Sequence, residues 1–142
     1  MIMRILKSLS IWFLILPCAI ANGGLREMAL RPILGTTAAY LTSGVLLALI
    51  ILGIALGSLR WLDIRDRTTA LGTGSQWLLL TLGFEFGFGH FVQGRPWAEL
   101  WEAYTFKDGN LWPLILLLTW LAPLIALHAR GAQSASTRSR RP

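Results

Sequence analysis

Charge is scarce in this chain. Asp, Glu, Lys and Arg make up 14% of its 142 residues, against roughly 25% in soluble globular domains. So few charges cannot cover a soluble surface, and the apolar residues therefore need surroundings other than water. Cysteine is reduced to Cys18 alone, which excludes an intrachain disulfide and a cysteine-rich metal site. Cys18 reads as a small apolar helix residue. Histidine is limited to His90 and His128. No nucleophile motif, phosphate loop or metal-ligand cluster is present. Leu71–Ser75, LGTGS, lacks both the third glycine of a dinucleotide fold and the lysine of a P-loop, and reads as a loop leading into a helix. The length holds one domain, without room for a second soluble one.

What the sequence does have is long apolar runs. The first is Ile5–Ala21, the second Ala38–Leu59, the third Trp77–Val92 and the fourth Leu111–Ala129. The second carries no charge, and its 22 residues span ~33 Å as a helix, enough for a bilayer's hydrocarbon core. Two readings stand for the first run. One is a retained helix, which we adopt. The other is a cleaved signal peptide, suggested by Arg4 and Lys7 ahead of the apolar part and by the small residues of Ala19–Ala21. Arg60–Gln76 reads as a polar connection. Pro113 falls in the first turn of the fourth run, and Pro123 is placed to kink it. These patterns predict an all-α membrane protein. Residues 1–129 form a bundle of four transmembrane helices with a short amphipathic outer helix, and residues 130–142 form a basic, disordered cytoplasmic tail.

The net charge is +6, but its placement is that of a membrane protein. With four spans and the N-terminus inside, nine of the 13 Lys and Arg fall on the inner side: Arg4, Lys7, Arg60, Arg65, Arg67 and the tail's Arg130, Arg138, Arg140 and Arg141. Arg26, Arg31, Arg95 and Lys107 fall outside. The excess of inner positive charge sets both termini in the cytoplasm. Trp61 and Trp77 then lie at the inner interface, and Trp97, Trp101 and Trp112 at the outer one, as amphipathic indoles prefer. Basic residues that flank apolar runs are not a nucleic-acid footprint, and no nucleic-acid partner is expected.

Two outer segments have structure of their own. Arg95–Phe106, RPWAELWEAYTF, starts with Pro96 and sets Trp97, Leu100, Trp101 and Tyr104 on one helical face, with Glu99 and Glu102 facing away. Asn22–Gly35, NGGLREMALRPILG, opens on a turn signal and offers Leu25, Met28 and Ala29 as a face, with Arg26 and Glu27 near the outer surface.

Within the spans, one residue breaks the pattern. Glu85 sits at the middle of the third run, where a charged carboxylate costs at least ~2.5 kcal/mol. It must stay protonated or face partners inside the bundle. On a helix, Thr81 and Gly89 lie one turn either side, which gives a narrow and partly polar face. One role is a proton or cation site; the other is a neutral acid that hydrogen-bonds across helices and fixes packing. Gly53 with Gly57, and Gly83 with Gly87, have the spacing that lets helices approach closely. Phe84, Phe86, Phe88 and Phe91 either cover lipid or line a groove around a ligand. His90 belongs to the outer end of the third helix and His128 to the inner end of the fourth. Most of the bilayer, on the order of 20 Å, separates them, which excludes a shared haem or zinc. His90 joins an outer polar cluster of Asn22, Arg26, Glu27 and Arg95. No cofactor, metal or catalytic residue is expected.

The pieces NGGLRE (Asn22–Glu27), RPILG (Arg31–Gly35), LTLGFEFGFGH (Leu80–His90), GRPWAEL (Gly94–Leu100) and GNLWPL (Gly109–Leu114) resemble a group of small, uncharacterised bacterial inner-membrane proteins with NGxxRE and FEFxxG motifs. The resemblance covers most of the chain outside the tail and implies four helices in the inner membrane, with the first retained. It also implies that Asn22, Arg26, Glu27, Glu85 and Trp97 act as one set, and it carries no activity to transfer. Two functions follow as expectations. The first is a non-enzymatic accessory or scaffold subunit, packing on itself or on a larger membrane complex. The alternative is a small homo-oligomeric transporter or channel that uses Glu85.

Overall fold

The computed structural model describes residues 1–140, and every described element is helical. Helix α1 spans Ile2–Leu25 and runs on through a π-turn, Arg26–Leu30, into α2, Arg31–Leu34. Helix α3 is Thr36–Ser58, and α4 is Arg67–Gly87 with a π-turn at Phe88–Val92. Short α5, Trp97–Glu102, and a 3-10 turn, Lys107–Gly109, lead into α6, Trp112–Ser139. Three stretches are long and apolar enough to cross a membrane: Ile2–Leu34, Thr36–Ser58 and Trp112–Ser139. The fourth expected span, α4, is not among them, because its first half carries Arg67, Thr68, Thr69, Thr73, Ser75 and Gln76.

The long helices form a ring in the order α1, α3, α6, α4, each packing on its two neighbours. Side-chain contacts give the directions. Arg4, Ile5, Ser8 and Trp12 of α1 meet Thr69, Gln76, Trp77 and Thr81 of α4 in rising order, so these two helices are parallel. Asn22 and the following Arg26 meet Ser43 and Tyr40 of α3, and Ser75 and Glu85 of α4 meet Trp120 and Trp112 of α6, each in falling order, so the α1–α3 and α4–α6 pairs are antiparallel. The core runs through Trp12, Ile51, Ala55, Trp77, Ala122 and Ala126. Leu59, Leu62 and Ile64 close one end, each 5% exposed or less.

Basic side chains gather at that end. Lys7 reaches the Trp61 carbonyl (3.3 Å) and lies over its indole. Arg60 lies beside the Arg130–Arg138 stretch of α6. The opposite end is covered by α5 and the loops flanking it, here called the cap. Arg141, placed in the basic tail by the sequence, lies outside the described residues.

Three boundaries differ from the sequence expectations. Helix α4 begins at Arg67, ten residues before Trp77, so the LGTGS stretch is helix rather than loop. Asp66 caps it by accepting the Thr69 N–H (2.8 Å) and hydroxyl (2.9 Å), which hold its carboxyl below the usual range. The turn expected at Asn22–Gly24 is also helix, because Asn22 spends its amide on Ser43 across the bundle instead of on its own backbone. The chain turns at Gly35, whose φ of 82° suits glycine. Finally, residues 130–139 continue α6 rather than lying disordered. A lone Gly131 does not end a helix, and Ser134 and Thr137 bond back to the carbonyls of Arg130 and Gln133.

Close helix approach uses different glycines from those expected. A Cβ at Gly53, Gly57, Gly83 or Gly87 would meet nothing within 4 Å, since helix rotation turns these positions away from the neighbouring helices. The tight crossing is at Gly74, where a Cβ would lie 1.8 Å from the Trp120 carbonyl oxygen. Replacing Gly74 by Ala must therefore push α4 off α6, and such overpacking costs about 1–3 kcal/mol. Thermal unfolding in detergent, followed by circular dichroism, should show that loss for Gly74→Ala. Gly57→Ala should be neutral or better, since an exposed helical glycine is itself a weak helix former.

Candidate functional site

Glu85 lies on the last full turn of α4, half-buried. Its Oε2 accepts two hydrogen bonds, from the Tyr104 hydroxyl (2.7 Å) and from the Trp112 indole N–H (2.8 Å). One carboxyl oxygen thus ties α4 to the cap and to the first turn of α6. Burial and the neighbouring acid raise the Tyr104 phenol far above its ordinary range, so Tyr104 stays protonated and donates. No hydrogen bond reaches Glu85 Oε1 among the described residues.

The cap needs such a tie. Phe106 and Asp108 adopt positive φ, 56° and 55°, a strained conformation for residues with a side chain. Within the cap, Lys107 pairs with Glu102, and Asn110 Oδ1 accepts the Trp112 backbone N–H (3.0 Å). Phe86 stacks near Trp97, Trp101 and Tyr104, and Leu100 seats against Gly89, where a Cβ would come within 2.7 Å of it. Of the face expected for α5, Leu100 is buried against α4 and Tyr104 is half-buried, whereas Trp97 and Trp101 touch Phe86 but stay 45% and 59% exposed.

Inside the ring, Glu85 lines a cavity of about 510 Å³. Below it, α1 and α4 are pinned by the Trp12 indole donating to Thr81 (3.0 Å). Beyond that pair the two helices face each other across the cavity, with Leu16, Ala19 and Ile20 on one side and Phe84, Glu85 and Phe88 on the other. Pro17, inside α1 at this level, removes one rung of the helical hydrogen-bond ladder. Helices α3 and α6 supply the far wall through Ser43, Leu47, Ile51, Leu111 and Ile115.

The outer polar cluster divides. Asn22, Arg26 and Arg95 line the cavity with Glu85 and Thr81, whereas Glu27 and His90 do not. Glu27 pairs with Arg26 (3.1 Å) and with Arg31. Arg26 also lies 4.6 Å above the Tyr40 ring. His90 contacts the Arg95 backbone carbonyl (2.9 Å) and stacks on Trp97 at 4.0 Å. The Arg95 guanidinium turns instead to Glu99 (2.9 Å). Thr81 shares the cavity with Glu85 but spends its hydroxyl on Trp12 and on the Trp77 carbonyl. Of the four phenylalanines, Phe84 and Phe88 face the cavity, Phe86 holds the cap and Phe91 is 79% exposed.

Sequence reasoning missed Tyr104 and Trp112 as the partners of Glu85. Both are donors that follow the third apolar run in the sequence and could reach back to its lone acid, which is the signal that would have paired them. No protein-family model, curated protein or solved structure matches the chain, so the site's chemistry is read from its own geometry. It sets the Glu85 carboxyl, the guanidinium groups of Arg26 and Arg95, and the polar side chains of Tyr40, Gln93 and Asn110 around a largely apolar chamber.

Removing the Tyr104 hydroxyl tests the tie. A hydrogen bond to a charged group contributes about 1.5–3 kcal/mol. Tyr104→Phe should lower stability by about that much and speed amide exchange across residues 97–109 while the middle of α3 stays protected. Uniform exchange throughout would show that the cap does not depend on Glu85.

Proposed function

We propose that this is a small multi-pass protein of the bacterial inner membrane, with four helices crossing and both termini in the cytoplasm. It serves, without catalysis, as an accessory or scaffold subunit of a membrane complex. The observation that carries the reading is the outward placement of two glycine pairs. Gly53 and Gly57 on α3, and Gly83 and Gly87 on α4, have the spacing of close helix–helix interfaces, and none of the described residues fills them. Such notches suit a helix of another chain. The polar half of α4 is compatible with crossing, because its partners within the bundle answer its hydrogen bonds. The gathering of basic side chains at one end supports the orientation.

The alternative, a homo-oligomeric transporter using Glu85, draws on one specific observation: Oε1 is left without a partner beside the cavity. Native mass spectrometry in mild detergent separates the two. The subunit reading expects a stable heteromeric complex that Gly57→Leu and Gly87→Leu dissolve while each chain stays folded. The transporter reading expects a dimer or larger assembly of this chain alone, with proton or cation flux in liposomes that Glu85→Gln abolishes. Cysteine labelling tests the threading, and a residue-135 label applied from outside would overturn it.

A further inference from the structure

The end of the bundle opposite the cap holds a second cavity, of about 520 Å³. Its lining comes from two elements far apart in the chain. Arg60 lies just past the end of α3, and Arg130, Gln133, Ser134, Thr137 and Arg138 belong to α6. The α6 residues recur at i, i+3, i+4, i+7 and i+8, so they share one helix face. Arg130 and Arg138 stand ~12 Å apart along that face, and Arg60 borders the same cavity from the α3 side.

The charges of this cavity are uncompensated. Arg26, Arg31, Arg65, Arg95 and Lys107 each hold a carboxylate, whereas Arg60, Arg130 and Arg138 have no ion pair or side-chain hydrogen bond among the described residues. No Asp or Glu is in the described lining. The acids nearest in the chain, Asp63 and Asp66, are spent on Arg65 and on the α4 N-terminus. Ser134 and Thr137 turn their hydroxyl protons to the carbonyls of Arg130 and Gln133. The free donors are therefore the three guanidinium groups and the Gln133 amide.

Like charges held together repel, and the stretch that carries two of them buries nothing in return. Residues 131–140 are all exposed, and Gly131, Ser134, Ser136 and Thr137 are weak helix formers. An anion between the guanidinium groups removes that repulsion and ties the last turns of α6 to the end of α3. The donors approach from two helices. A tetrahedral phosphate answers such an arrangement, because its oxygens point in different directions, whereas a carboxylate offers two in one plane.

We infer that this cavity binds a phosphate-bearing anion, held by Arg60, Arg130 and Arg138 with the Gln133 amide. Soluble phosphate compounds and the headgroups of anionic phospholipids share this chemistry. Arg60 and Arg130 each follow directly on an apolar run, which sets the cavity at headgroup level in the proposed membrane setting. The anion site itself rests on neither that setting nor the subunit role.

The test uses the full chain in neutral detergent at low ionic strength. Pyrophosphate is titrated by calorimetry, with citrate, which carries its charge on carboxylates, as the comparison. Pyrophosphate should saturate at one per chain, at least about tenfold tighter than citrate, and weaken as salt is raised. Arg60→Gln and Arg138→Gln should each weaken it about tenfold, the loss of one charge-assisted contact. Arg67→Gln removes the same charge from the same end but outside the cavity, and should leave binding nearly unchanged. Amide exchange across residues 130–139 should slow on saturation of the wild-type chain and stay fast in Arg60→Gln. Lysophosphatidic acid, competed against pyrophosphate in native mass spectrometry, identifies the source. Displacement of pyrophosphate assigns the site to a lipid headgroup, and pyrophosphate that stays bound assigns it to a soluble phosphate. Binding that never saturates, equal affinity for citrate, or an equal loss in Arg67→Gln and Arg60→Gln would overturn the assignment, the last by showing only diffuse attraction to the basic end.

Discussion

Every polar side chain that α4 carries into the bundle must find its hydrogen bond inside the protein. That requirement organises the rest of the structure. Thr69 takes one from Arg4, Gln76 gives one to the Ile5 carbonyl, Thr81 takes one from Trp12, and Ser75 takes one from Trp120. Glu85 completes the series through Tyr104 and Trp112. Each bond is non-local, so together they set which helices lie beside α4 and in which direction. In the proposed membrane setting, packing and hydrogen bonds carry helix association, because lipid is as apolar as the side chains. A helix too polar to stand alone in lipid is thereby made the most constrained element of the fold.

What could be read from the sequence follows from the same physics. The apolar runs of α1, α3 and α6, the amphipathic face of α5 and the gathering of basic residues at one end each leave a one-dimensional trace, because hydropathy and charge are local properties. The start of α4 did not, since Asp66 and Thr69 announce a cap only if the glycines at 72 and 74 are accepted within a helix. Their reason is the α6 backbone next to Gly74, a contact with a residue 46 positions away in the chain. The Gly53–Gly57 and Gly83–Gly87 spacings were legible, but the direction they face was not. Spacing gives a face, and only helix rotation decides what that face meets. Glu85 was legible as an anomaly, while its partners depended on how the cap folds back over α4.

The cavity arises from a mismatch between two parallel helices. In the basic half, α1 and α4 are joined by four side-chain hydrogen bonds, ending at Trp12–Thr81. In the other half no bond joins them among the described residues, and Pro17 interrupts α1 where the separation begins. The cap closes the chamber from above through Ala103 and Asn110, but it leaves the side between Ile20 and Phe88 open. One end of the same helix pair is thus a clamp and the other a mouth.

Glu85 reconciles a structural role with a chemical one because its two oxygens are differently placed. Tyr104 and Trp112 are both donors, and both address Oε2. A carboxyl group that carries a proton on Oε1 still presents Oε2 as a carbonyl acceptor, so the tie to the cap survives either protonation state. A proton arriving at Oε1 need not release the cap. Holding the helices together and presenting a free acceptor to the chamber are therefore not competing explanations of an acid in this position. The first leaves the second oxygen available.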